Sequence, residues 1–232
     1  MGTLYFAYHD ATILNNIFGL AEFSFDEFEI AGISVLDEGN AFLVKGDSPF
    51  NSLEDLISHA KANPNQVTVA TEIGAHTYMQ LLAFQNTTDT ELRLVDAGGA
   101  ADKIAALLGG HVDILPTQLG LVQAYIESGD MKALGVISEE RLPEMPEVPT
   151  FKEQGVDAVV NKLFYWGFPK GTPEEIVNKF SAAMEKVITT NEEFKTSSES
   201  HIVTPTFMGP AEAVEYMTKV REQYQELYNS MQ

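Results

Sequence analysis

Between Glu91 and Ile114 the spacing of apolar residues changes twice. Leu92, Leu94 and Val95 make a short β-prone run, and "DAGGA" breaks it. Ile104, Ala105, Leu107 and Leu108 then mark the apolar side of a helix, which "GG" stops. Val112, Ile114 and Leu115 follow as a second buried strand. Strand, helix and strand in this order predict a right-handed βαβ unit with parallel strands. The turn after its first strand lies beside a helix N-terminus. There the N–H groups of Gly98, Gly99 and Ala100 can face a bound anion, helped by the helix dipole. A plain tight turn accounts for the glycines equally well, and neither "GxGxxG" nor "GxxxxGK[ST]" is present.

The same grammar recurs. "SLEDLISHAKANPN" predicts a helix capped by Ser52, with Asp55 completing a capping box, Leu53, Leu56, Ile57 and Ala60 as its stripe, and Asn63 and Pro64 as its stop. "QVTVA" is a strand, "TEIGAHTY" a polar turn, and the next helix carries Met79, Leu82 and Ala83 inward. "PTQLG" is a third turn, after a strand at 112–115, followed by a helix through Val122, Tyr125 and Ile126 and by the strand "ALGVI". The turns at 71–77, 96–101 and 116–118 belong at the carboxyl edge of one parallel sheet, where open α/β folds place ligands.

The flanks read differently. The first residues, through Leu4, Tyr5 and Phe6, are a strand that breaks at His9 and Asp10. Residues 11–20 are a short helix or turn, 30–36 a strand, and "AFLVK" another. "SEERLPEMPEVPTFKEQG" is an aperiodic surface loop before a short helix. "VVNKLFYWGFPKGTP" reads as a strand that leaves one lobe for another. A helix over 173–190 turns Ile176, Val177, Phe180, Met184, Val187 and Ile188 inward, with Pro173 in its first turn. Residues 192–200 are a polar helix or turn, "HIVTPTFM" a strand, and 210–228 a closing helix. Crossings near 40–45 and 164–168 divide the chain into a discontinuous lobe, 1–42 with 166–232, and a continuous one, 43–165. Such crossings are natural hinges.

Composition narrows the function. Among 232 residues, 14 Lys and Arg stand against 34 Asp and Glu, and the formal charge of −20 repels nucleic acid and anionic membrane surfaces. It leaves room for a small anion held by local amides. With no cysteine there is no disulfide, thiolate metal site or cysteine nucleophile. No apolar run reaches membrane-spanning length, and residues 1–20 lack the pattern of a signal peptide. His9, His59, His76, His111 and His201 show no metal spacing, and no "GxSxG" elbow or acid–base carboxylate pair is present. The expectation is a protein without metal, cofactor or catalytic residues.

Four strings carry a resemblance: "SLEDLISHAKANPNQVTVAT", "VDAGGAADKIAALLGGHVDIL", "IESGDMKALGVISEERLPEMPEVPTFKEQG" and "YWGFPKGTPEEIVNKF". Together they resemble the solute-binding receptors of tripartite tricarboxylate transporters, the TctC-like or Bug family. The resemblance implies an α/β, two-lobed periplasmic-binding-protein fold of type II, each lobe a mostly parallel sheet flanked by helices. It implies a periplasmic receptor that closes on a small organic acid and delivers it to transporter membrane subunits. The ligand residues it implies are Thr71, Gly74, His76, Thr77 and Tyr78 in the first turn, then Asp96, Gly98, Gly99 and Ala100 in the second. Thr117 belongs to the third turn, and Tyr8, His9 and Asp10 to the other lobe. Trp166 is either an aromatic wall or packing near a crossing.

Three departures accompany it. The family's opening strand and glycine-rich turn find no match ahead of Gly2, so the first lobe is expected to be incomplete, with an exposed sheet edge that invites a homodimer. Glu72 stands in the first turn, where an outward carboxylate is solvated and an inward one opposes an acid. Thr117 occupies a position usually acidic. Two further readings stay open: a transport-independent small-molecule sensor, and an α/β enzyme working through His76.

Overall fold

The computed structural model describes residues 3–158, 160 and 162–230; Gly2 and part of the strand expected at "VVN" lie outside them. In chain order the regular elements are β1 (Tyr5–Tyr8), α1 (Leu14–Ile17), β2 (Phe28–Asp37), β3 (Asn40–Lys45), α2 (Leu53–Ala62), β4 (Thr68–Thr71) and α3 (His76–Thr88). Then come β5 (Arg93–Asp96), α4 (Ala100–Leu108), β6 (Leu115–Gln118), α5 (Gln123–Glu127) and β7 (Met131–Val136). The last are β8 (Lys162–Pro169), α6 (Glu174–Thr190), α7 (Glu192–Ser200), β9 (Thr204–Met208) and α8 (Pro210–Ser230). Two compact units result: Met1–Asp37 with Lys162–Gln232, and Glu38–Asn161. The boundaries expected at 42/43 and 165/166 would cut through β3 and β8. Each of those strands instead stays whole with the sheet that satisfies its backbone.

In the discontinuous unit the strand order is β1-β8-β2-β9, and every pair is antiparallel. A mostly parallel sheet was expected here, and the strand directions correct that. β8 runs between β1 and β2 and opposite to both, with the alternating burial typical of a sheet covered on one side. The core is pinned by polar contacts. Tyr165 is fully buried, and 2.6 Å separates its hydroxyl from Thr12 Oγ1. His9 is also fully buried; its Nδ1 accepts the Leu163 N–H at 3.2 Å and its ring lies 5.7 Å from that of Tyr224. On α6, Val177 and Met184 point inward as expected, but Ile176 and Val187 are about half exposed and Ser181 is buried in their stead. The buried stripe is narrow because α6 rests on β2 at its closest point, where a Cβ on Gly32 would come within 2.5 Å of Met184.

The continuous unit contains β6-β3-β7, antiparallel, and β4-β5, parallel. A parallel bridge from Val69 to Ile114, with Ala70 N–H donating to Ile114 C=O at 3.0 Å, joins the two groups. The sheet therefore reads β5-β4-β6-β3-β7, with β3 alone reversed. Ser52 Oγ accepts from Asp55 N–H at 3.1 Å and caps α2. The return bond of the capping box goes one residue further back, from Asn51 N–H to Asp55 at 2.9 Å. Phe42, Phe84 and Phe151 meet with ring centroids 4.9 to 5.9 Å apart and fill the core.

His9 makes the stability of the discontinuous unit pH-dependent. Burial first, then the nearby Lys162 ammonium, lowers its pKa from 6.5 to about 3. The unfolded chain takes up the proton more readily, so the contribution is complete above pH 6.5 and is lost as pH falls from 6.5 towards 3. The slope from this one group reaches about 1.4 kcal/mol per pH unit. In urea melts, His9→Asn should remove about one proton's worth of that slope relative to the parent chain. Parallel pH profiles for the two proteins would refute the assignment.

Candidate functional site

β4 ends at Thr71 and β5 at Asp96, and these two residues are partners in parallel register. A helix follows each strand, so α3 and α4 both begin at this carboxyl edge. The Thr71 carbonyl accepts from Ala97 N–H at 3.0 Å. Its hydroxyl, on a residue 1% exposed, has no hydrogen-bond partner among the described residues. Thr68, at the other end of the same strand, makes the contrast: its hydroxyl donates to Asp113 at 2.6 Å and accepts Asp113 N–H at 3.0 Å. One strand thus carries a satisfied threonine at its start and an unsatisfied one at its carboxyl end.

The helix starts share that character. Ala75 is the N-cap of α3 and Gly99 that of α4, and neither provides a side-chain cap, whereas Ser52 caps α2. Gly74 reverses the chain before α3 with φ +91°, a conformation that suits glycine. His76 and Thr77 are buried in the first turn, Tyr78 is half-buried, and Glu72 is exposed. The start of α3 is therefore a positive helix end bordered by hydroxyls.

The second turn is less hospitable to an anion than its glycines suggest. Gly98 N–H donates to the Asp96 carboxylate at 3.2 Å, so that amide is already engaged. Asp102 lies close as well, 3.1 Å from where a Gly98 Cβ would stand. Gly99 and Ala100 are exposed. The third turn also departs from expectation: Thr117 lies within β6, buried and opposite Ala41, and the reversal comes later, at the 3-10 turn Leu119–Leu121. Pro116 was read as the end of a strand, yet β6 accommodates it opposite Phe42.

Lys103 was not among the expected residues. It is 5% exposed on α4, and its ammonium donates to Thr77 Oγ1 at 3.4 Å, which brings a positive charge to the start of α3. A lone lysine in "AADKIAALL" reads as a solvated helix charge. The one available signal is that position 103 is adjacent to the apolar stripe of Ile104, Leu107 and Leu108.

The remaining candidates lie in the other unit. His9 is part of its packing, and Asp10 is buried with its carboxylate 3.6 Å from His9 Nε2. Tyr8 is 42% exposed, with the Lys162 ammonium 4.3 Å from its ring. Trp166 donates to Ser34 at 3.1 Å and packs on Phe6 and Phe180, at 4.4 and 5.6 Å, as a structural residue of that unit. Among the described residues no cluster of three or more His, Cys, Asp or Glu is arranged to hold a metal, and no helix is long and apolar enough to cross a membrane.

The family model for the tripartite tricarboxylate transporter family receptor, TctC, matches residues 20–224. The chain belongs to this family. A UPF0065 protein encoded in the gbd 5′ region of Cupriavidus necator is 30% identical over 178 residues, covering 75% of this chain and 49% of that protein. The chain spans about half the length of the curated relatives it matches. Among solved structures, a TctC solute-binding protein from Polaromonas aligns with TM-score 0.79 and 25% identity, over 98% of this chain and 77% of the other. MatC from Rhodopseudomonas palustris, with bound malate, aligns with TM-score 0.85 and 20% identity, over 97% and 78%. Family and fold are those of solute-binding receptors, an α/β periplasmic-binding-protein architecture.

Gly99 offers a clean test of the second turn. Its φ of −70° and ψ of −179° suit a branched residue, and an added Cβ would meet nothing within 4 Å. Gly99→Val should leave the melting temperature of this TctC-family chain unchanged while narrowing the approach to α4, so only ligand affinity should fall. A drop in melting temperature without loss of affinity would remove this turn from the site.

Proposed function

We propose that this TctC-family chain is an extracytoplasmic receptor that binds a small organic acid by its carboxylate at the carboxyl edge of β4 and hands it to transporter membrane subunits. The unsatisfied Thr71 hydroxyl carries the reading. A buried hydroxyl left without a partner costs stability unless something supplies one, and a carboxylate is an acceptor of the right kind. The uncapped start of α3 favours the same charge, through the positive end of its dipole and the Thr77 hydroxyl. His76 and Tyr78 border this position, Gly74 shapes the approach, and Gly99 and Ala100 flank it. Glu72 is exposed and offers no opposition. The malate of MatC indicates the size of solute to try first. The family description supports delivery to a tripartite transporter, and a periplasmic setting is in keeping with it.

Isothermal titration with malate and related C3 to C6 acids tests the reading on the parent chain and on Thr71→Val. The substitution keeps the shape and removes the orphan hydroxyl, so the melting temperature should hold or rise. Acid affinity should fall roughly 10- to 100-fold, the worth of a hydrogen bond to a charged group. A variant that melts lower yet binds as well as the parent would place the hydroxyl in the scaffold and defeat the proposal.

A further inference from the structure

Gln80 lies one turn beyond the start of α3 and is 1% exposed, yet only one end of its amide is used. Nε2 donates to Val160 C=O at 2.9 Å, whereas Oε1 has no hydrogen-bond partner among the described residues. That contact settles which way the amide faces: a backbone carbonyl only accepts, so the end beside it is the nitrogen and the oxygen is turned elsewhere. Two other glutamines of the same unit make the contrast. Gln154 accepts from Leu53 N–H at 3.0 Å and donates to Leu134 C=O at 2.9 Å, and Gln85 Oε1 accepts from Leu92 N–H at 2.6 Å. A buried carbonyl oxygen without a donor is costly, and a donor arriving from solution removes that cost.

Position ties this oxygen to the candidate site. Gln80 stands three residues after Thr77 and four after His76, spacings that put helical side chains on one face with Cβ atoms about 5 to 6 Å apart. All three residues are buried. A helical side chain also leans back over the preceding turn, which for Gln80 is the first turn of α3. What Gln80 needs differs from what Thr71 needs. A hydroxyl can give its proton to a carboxylate, but an amide oxygen can only accept, and a carboxylate oxygen brought against it is repelled. The unsatisfied oxygens of Thr71 and Gln80 therefore call for two different groups on one solute.

We infer that Gln80 selects the solute by accepting a hydrogen bond from it, so that the ligand class is the hydroxy- or amino-substituted carboxylic acids rather than the plain ones. This rests on the carboxylate-receptor reading and adds to it a substituent and the residue that recognises it. Hydroxyl and ammonium are both donors, and either satisfies Oε1, whereas a methylene in the same place does not. A site built to bond a hydroxyl rejects the analogue without one strongly, because the protein's own acceptor is left unpaired in the wrong complex.

Titration calorimetry on the full chain tests this with matched acids: malate and aspartate against succinate, and lactate and alanine against propionate. The parent should favour a substituted acid over its plain counterpart by roughly 10-fold or more, and the better of the hydroxy and amino forms names the donor. Gln80→Met, of like length and without the carbonyl, should bring substituted and plain acids to within about twofold of each other. The variant also loses the bond to Val160, so its thermal melt is recorded beside the titrations. A lower melting temperature with the parent's preference unchanged makes Gln80 a packing residue and overturns the inference. Should the variant fail to fold, the parent's own ratio decides: substituted and plain acids bound alike overturn the donor subsite and leave the carboxylate reading standing. A parent chain that binds none of the acids overturns both.

Discussion

The parallel pairing of β4 with its two neighbours governs the candidate site. Arg93 N–H to Val67 C=O and Ala97 N–H to Thr71 C=O tie β5 to one side of β4, and Ala70 N–H to Ile114 C=O ties the approach to β6 to the other. Strands that run the same way release their following helices at the same end, so α3 and α4 start together without any need for matching side chains. Register matters as much as direction. Side chains alternate across a sheet, so a slip of one residue would turn Thr71 to the opposite face and replace it with Ala70 or Glu72. The bonds from Thr68 to Asp113 hold β4 against that slip from its far end. The satisfied threonine therefore fixes where the unsatisfied one points.

What the sequence revealed, and what it hid, follows from the range of the interactions involved. The cap at Ser52, the βαβ period and the helix stops are local, and they were legible because their partners lie within a few residues. Thr117 was misplaced because Pro116 reads as a stop, while its strand assignment depends on β3, far away in sequence. The strand directions of the discontinuous unit were misjudged for a related reason: β1 and β8 are about 150 residues apart, and no local period records their antiparallel pairing. Lys103 escaped because nothing in its own helix tells a buried lysine from a solvated one. Its contact, Thr77, lies in another helix.

The proline-spaced segment within one of the strings that carry the family resemblance has a structural explanation, and it lies apart from the proposed ligand chemistry. Thr150 and Glu153 form a reciprocal capping box, with Thr150 N–H on the Glu153 carboxylate at 2.8 Å and Glu153 N–H on the Thr150 hydroxyl at 3.0 Å. Arg141 adds a paired contact to the same carboxylate, which the Thr150 amide and then Arg141 hold below the ordinary glutamate pKa. Gln154 bridges Leu134 C=O and Leu53 N–H, so the loop is stitched to both β7 and α2. A Cβ on Gly135 would lie 2.7 Å from Gln154 Nε2, so a larger residue there would displace the Gln154 amide. Recognition and chemistry thus reside in different residues. The "LPEMPEVPTFKEQG" run makes the family legible by anchoring a loop, while the proposed ligand contacts lie elsewhere, at positions such as 71 and 77.

Burial of a polar group is therefore a poor guide to function, and satisfaction is a better one. His9, Tyr165 and Thr12 are as deeply buried as Thr71, and burial holds the His9 imidazole well below its ordinary pKa. Yet Tyr165 and Thr12 use each other, and His9 Nδ1 accepts from Leu163, so these atoms are accounted for by the scaffold that contains them. A protein folds with such groups at little net cost, because each hydrogen bond to water is exchanged for one within the chain. Thr71 has made no such exchange. Selection for stability alone would replace it with valine, which has its shape and none of its desolvation cost. A threonine there is what the proposed carboxylate site calls for, its missing partner arriving from solution.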